Sequence, residues 1–162
     1  MKSLIVFSTK CGTTEKCAKL IKKGLNGETD LVNLREQKCK DIDSYDNILI
    51  GGSVYIGKIR SDVKEFVEKN KSSLRNKNIG LFVLCQDEGE KAIGYIDNNF
   101  PDDIVKGAFI KEHLGHEINL DKMGFLDRTL CKKVLKVKES YSKLNDEAIG
   151  RVVEETNIRI KN

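Results

Sequence analysis

Three short apolar runs constrain this chain most: Ser3 to Phe7 with Ser8 at its end, Ile48-Leu49-Ile50, and Ile79 to Cys85. None alternates with polar residues, so each reads as a strand covered on both faces, the signature of a parallel sheet lying between helices. Helical patterns fill the gaps. Thr13 to Leu25 places Cys17, Leu20, Ile21 and Leu25 at helical spacing, and Gly24 and Gly27 close it. Ser61 to Lys71 carries Val63, Phe66 and Val67 on one face, Ala92 to Phe100 runs up to the only proline, Pro101, and Asn145-Asp146-Glu147 opens a last helix through Ile160. Asp30 to Leu34 and Val105 to Ile110 complete a set of five expected strands. The expected fold class is α/β: a doubly wound five-stranded parallel sheet with helices on both faces, residues 1–162 forming one domain.

Charge narrows the partners. The net charge is +4, and the segment from Asp121 to Lys143 accounts for it, holding seven of the 29 basic residues and three of the 25 acidic ones. Such local basicity, without aromatic platforms or a recognition-helix motif, argues against nucleic acid as a partner. Five scattered cysteines (11, 17, 39, 85 and 131) have neither the even number of a disulfide framework nor C-x-x-C spacing, so reduced thiols and no metal site are expected. No apolar run reaches the length of a membrane span, and the first strand is too short for a signal-peptide core, so a cytoplasmic location is the expectation.

In an open sheet of this kind, ligands sit beyond the carboxyl ends of the strands. Three loops leave such ends with unusual chemistry: residues 8–14, 52–58 and 86–91. The first, Ser8-Thr9-Lys10-Cys11-Gly12-Thr13-Thr14, gathers hydroxyls and backbone N–H groups at the positive end of a helix, where a phosphate is held. An ordinary cap, with Thr13 or Thr14 as the capping residue, is the plainer reading of the same hydroxyls. A Walker loop would end in Gly-Lys-Ser/Thr and a dinucleotide fingerprint would need three spaced glycines; neither is present. A Cys-x5-Arg phosphatase loop fails because Cys17, not arginine, follows Cys11 at that spacing.

Ser8-Thr9-x-x-Gly12-Thr13-Thr14 resembles the phosphate loop of flavodoxins. Gly52-Ser53-Val54-Tyr55-Ile56-Gly57-Lys58 is similar to their second flavin loop, and Gln86-Asp87-Glu88 stands where the third belongs. The resemblance implies bound FMN, its phosphate on Ser8, Thr9, Lys10, Cys11, Gly12, Thr13 and Thr14. The isoalloxazine ring would lie between Ser53, Val54, Tyr55, Ile56, Gly57 and Lys58 on one side and Gln86, Asp87 and Glu88 on the other. It also implies a redox role for Gly57, through a loop carbonyl turned toward flavin N5. Glycine makes that turn cheap by tolerating positive φ. Tyr55 is the expected stacking residue, with Val54 or Ile56 as alternatives, and Tyr95 lies too far along its helix to replace it. Lys58 and Lys91 near the ring imply a reduction potential less negative than that of acidic flavodoxins.

Within the flavodoxins, the G-S-x-x-x-G-K loop and the basic segment before the last helix look most like the quinone-linked (menaquinone-dependent) protoporphyrinogen-oxidase branch. That implies a porphyrinogen substrate and a quinone acceptor. The alternative is a soluble carrier passing single electrons between redox partner proteins. The basic segment, residues 117–144, is expected to be a helical insert, with Leu126, Leu130, Val134, Val137, Tyr141 and Leu144 stepping by three or four along one stripe. Packing on the domain explains that stripe. So does contact of residues 123–144 with an anionic membrane surface or a quinone-bearing partner, which would make the protein membrane-associated. His113 and His116 are three apart and lack neighbouring ligands, which leaves them as proton donors or as loop residues without a role.

Overall fold

A computed structural model describes residues 1–39, 41–133 and 136–161. In chain order the elements are β1 (Ser3–Ser8), α1 (Thr13–Gly24), β2 (Thr29–Asn33), β3 (Asn47–Tyr55), β4 (Lys58–Ile59), α2 (Ser61–Leu74), β5 (Asn78–Leu84), α3 (Gly89–Asn99), α4 (Asp102–Gly107), β6 (Ile110–His113), β7 (Gly115–Ile118), α5 (Phe125–Lys133), β8 (Tyr141–Leu144) and α6 (Asp146–Lys161). Five strands pair in parallel in the order β2-β1-β3-β5-β6, while β4 folds back antiparallel on β3. The expected doubly wound sheet is the one found.

Alternation along the buried strands sends side chains into two cores. Leu4, Val6, Ile48, Ile50, Leu81 and Val83 meet α2, α3 and α4 through Val63, Phe66, Val67, Ile96 and Ile104. Ile5, Phe7, Leu49, Phe82 and Leu84 meet α1 and α6 through Cys17, Ala18, Ile21, Ile149 and Val152. The last helix starts as its residues predict: the Asn145 side chain accepts the Ala148 N–H at 3.0 Å.

Two expectations are corrected. The fifth strand lies at Ile110–His113, because Pro101 with Asp102 and Asp103 in the following turn starts α4 across the region read as strand. The insert is not one helix. Its ends pair as the antiparallel strands β7 and β8, and among the described residues between them the α-helix is Phe125–Lys133, preceded by a single 3-10 turn at Leu120–Lys122. Leu126 and Leu130 stand 81% and 41% exposed, while Val137 and Tyr141 join a small cluster with Ile118, Leu120 and Cys131. Leu144 packs on the α1–α6 core instead, and Val134 lies outside the described residues.

Candidate functional site

At the carboxyl ends of β1, β3 and β5, a cavity of about 690 Å³ opens. All three loops singled out in the sequence reach it, through Thr9, Lys10, Cys11 and Thr13, through Ser53, Val54, Tyr55, Ile56 and Gly57, and through Gln86 and Asp87.

The first loop runs from β1 into α1. Gly12 precedes the helix with φ 86°, and no side chain caps it among the described residues. The first amide hydrogens of α1 therefore face outward without a partner, as helix geometry leaves them. Thr9 Oγ1 accepts the Gly12 N–H at 2.9 Å, which turns the loop back on itself. Thr14 and Ser53 hydroxyls share a hydrogen bond of 3.0 Å and tie the first loop to the second. Ser8 behaves differently from the expectation. Its hydroxyl donates to Asp62 at 2.6 Å and accepts from Arg60 Nε at 2.7 Å, so its one proton and one of its two lone pairs are engaged inside the protein.

The second loop is a two-residue hairpin. Tyr55 pairs with Lys58, and Ile56 and Gly57 between them have φ 48° and 71°. Positive φ at both central residues is the geometry of a type I′ turn, whose twist matches that of paired strands. Glycine accepts it freely, whereas isoleucine, branched at Cβ, sits there at a cost of about 1–3 kcal/mol. Asn99 on α3 holds the turn: its Nδ2 donates to the Gly57 carbonyl at 2.9 Å and its Oδ1 accepts the Ile59 N–H at 3.0 Å. The Gly57 carbonyl is thus already engaged. The Ile56 carbonyl, on the central peptide of the turn, has no such partner among the described residues.

Several side chains join the cavity that spacing did not point to. Tyr95 comes from α3, contrary to the expectation, because one helical turn brings it back over Gly57. Its Cε1 stands 3.6 Å from where a Cβ on Gly57 would lie, and its hydroxyl donates to Asp87 at 2.6 Å. Lys91 also binds Asp87, at 2.7 Å, and the two donors hold that carboxyl below its usual range. Arg60 lines the cavity, whereas Lys58 and Glu88 do not. Cys85 lines it too, and burial pushes its thiol up to about 11. The Cys11 thiol is likewise raised by burial, so neither is set up as a thiolate nucleophile.

The insert forms the remaining wall. His116, Glu117 and Ile118 on β7, and Met123, Asp127, Leu130 and Cys131 beyond it, face the cavity. His116 Nε2 lies 3.2 Å from the Tyr141 hydroxyl, and burial, with Lys143 adding to it, lowers its pKa. His113 instead meets the Cys85 carbonyl at 2.9 Å. Two ion pairs fasten the insert to the first loop and helix: Lys10 with Asp127, and Lys16 with Glu117 at 2.7 Å.

An uncapped helix start, a hydroxyl-lined turn and a cleft at the carboxyl ends of a parallel sheet define a doubly wound α/β protein with its cleft where such folds take their ligands. Residues 4–145 match the flavodoxin domain model, and the chain belongs to that family, whose members typically bind FMN. Flavodoxin 1 of Bacillus cereus superposes over 100% of this chain and 99% of its own, with a TM-score of 0.62 at 17% identity. A Fusobacterium nucleatum flavodoxin bound to flavin mononucleotide superposes over 99% and 98%, with a TM-score of 0.52 at 15% identity. In sequence, 79 residues are 33% identical to protoporphyrinogen IX dehydrogenase [quinone] of Escherichia coli strain K12. That match takes in 47% of this chain and 44% of the enzyme, under half the length of the curated relative. Among the described residues, no helix is long and apolar enough to cross a membrane.

Proposed function

We propose that this protein binds FMN non-covalently and oxidises a porphyrinogen, passing the electrons to a quinone. One observation carries the flavin: all three strand-end loops open on a single cavity, with the unpartnered amides of α1 at its phosphate-binding side. The residues fit the group. Backbone N–H groups of the loop and the hydroxyls of Thr9, Thr13 and Thr14 suit a phosphate monoester, each charge-assisted hydrogen bond contributing about 1.5–3 kcal/mol. Bound there, FMN would supply a two-electron acceptor and donor.

The chain's own residues would do the rest. Tyr55, Ile56 and Gly57 on one side and Gln86, Asp87 and Tyr95 on the other would hold the ring, with the Ile56–Gly57 peptide offering its free carbonyl to N5. Arg60 lines the cavity, as Lys10 does, whereas Lys58 and Lys91 do not, and it would favour negative charge on the reduced ring. Each turnover would remove two hydrogens from the porphyrinogen and hand them to a quinone, released as the quinol. Exposed Tyr55, Ile56, Phe125 and Leu126 offer apolar surface for an apolar substrate or acceptor. The lysines after α5 would hold the same side to anionic lipid.

The partial likeness to the quinone-linked dehydrogenase supports this reading over that of a single-electron carrier between proteins, as does the net positive charge of the segment from Asp121 to Lys143. Purified protein should be yellow, and should oxidise protoporphyrinogen with an added quinone and not without it. A yellow protein inert in that assay, yet reducible by single electrons, would establish the carrier.

A further inference from the structure

The turn that joins β7 to α5 carries Lys122, and its ammonium stands 3.8 Å from where a Cβ on Gly12 would lie, the one group within 4 Å of that point among the described residues beyond Gly12 and its chain neighbours. This places a cation beside Gly12, the residue before α1, at the end of the helix that carries the positive pole of its dipole. Two positive features so close repel unless an anion lies between them.

The surrounding charges do not supply that anion. Asp127 is taken by Lys10 and Glu117 by Lys16. Arg35 donates to the Thr9 carbonyl at 3.3 Å from below the loop. Among the described residues no carboxylate forms an ion pair with Lys122, and Glu117 acts on it only through longer-range attraction. Beside the first loop Lys10, Lys16 and Arg60 are paired with Asp127, Glu117 and Asp62, whereas among the described residues no carboxylate forms an ion pair with Arg35 or Lys122. A phosphate monoester brings a charge of about −1.5 to −2 at neutral pH.

The position of Lys122 is built rather than incidental. Asn119 Oδ1 accepts the N–H groups of Asp121 and Lys122 at 3.2 and 3.3 Å. Leu120 is buried, its N–H donates to Ser140 Oγ at 3.0 Å, and its carbonyl accepts Arg128 Nε at 2.7 Å. The backbone bearing the lysine is therefore held from both ends of the insert.

We infer that Lys122 is the counter-ion of the cofactor's phosphate, so that the insert acts as a clasp over the phosphate loop. This rests on the FMN reading above and adds to it a residue outside the three flavin loops. Affinity for the phosphorylated flavin then depends on the insert, and affinity for the ring alone does not.

The test compares FMN with riboflavin, by quenching of flavin fluorescence on the full chain at two salt concentrations. The proteins are wild type, Lys122→Ala, Lys122→Arg and the exposed α5 control Lys132→Ala. Loss of one charge-assisted contact should weaken FMN binding about 10- to 100-fold in Lys122→Ala, leave riboflavin within about twofold, and flatten the salt dependence for FMN. Lys122→Arg should restore most of the affinity, and Lys132→Ala should match wild type. Because Lys122 is exposed, circular dichroism should show Lys122→Ala folded. Equal weakening for both flavins, or unchanged FMN affinity, overturns the assignment while the FMN reading stands. Wild-type protein that binds neither flavin overturns both.

Discussion

At His116, burial in the cavity wall and the Lys143 ammonium nearby both disfavour the imidazolium, so the ring is held neutral around pH 7. Below its ordinary value of 6.5 the unfolded chain takes up a proton that the folded chain refuses. Stability therefore falls as pH drops through about 6.5, and the fall ends once the folded-state pKa is passed. His116→Gln keeps a polar side chain and removes the titration. Its urea midpoint should change less than that of wild type between about pH 7.5 and 5.5. The spacing of His113 and His116 left open whether either had a role. What separates them is which strand each joined: β6 turns His113 to a backbone carbonyl, and β7 puts His116 in the cavity. Tyr95 teaches the same point, since its distance along the chain from Asp87 says little about the 2.6 Å between their oxygens.

Among the elements, β3 bears a tight packing constraint at its centre. A Cβ on Gly51 would lie 2.4 Å from both the Phe82 ring and the Phe82 carbonyl oxygen of the neighbouring strand β5. The backbone atom cannot yield as a side-chain tip does. Gly51→Ala should thus destabilise the protein by about 2–4 kcal/mol, seen as a lower denaturant midpoint with an unchanged slope. The central strands β1, β3 and β5 were legible because burial on both faces leaves an unmistakable apolar run, whereas the half-buried edge strand Ile110–His113 was not. The insert was not, because a three-to-four repeat is also met by a helix of nine residues followed by a strand. Pairing of Gly115–Ile118 with Tyr141–Leu144 is a contact between distant residues, and no local pattern announces it.

For the whole molecule, the cleft joins three loops and the insert across the end of one sheet, so an occupant would add contacts to the few side-chain bonds that already tie them together. A ligand bound only by the folded state stabilises it by RT ln(1 + [L]/Kd), about 2.7 kcal/mol at a hundredfold excess over Kd. Added FMN should accordingly raise the melting temperature in a concentration-dependent way, and riboflavin should raise it less at equal concentration. A melting temperature indifferent to FMN would remove the cofactor from this account.

Residue order alone determined four strands of the parallel sheet, its strand-end loops and the gathering of hydroxyls and a helix start in residues 8–14. Those follow from local rules: apolar runs, helix starts, and a glycine with hydroxyls between them. Only the tertiary structure decided that Ser8 turns to Arg60 and Asp62, that Asn99 occupies the Gly57 carbonyl, and that Lys122 reaches Gly12 from over a hundred residues away. Each of these joins residues far apart in the chain, and such contacts are set by how the elements dock, which neither spacing nor composition encodes.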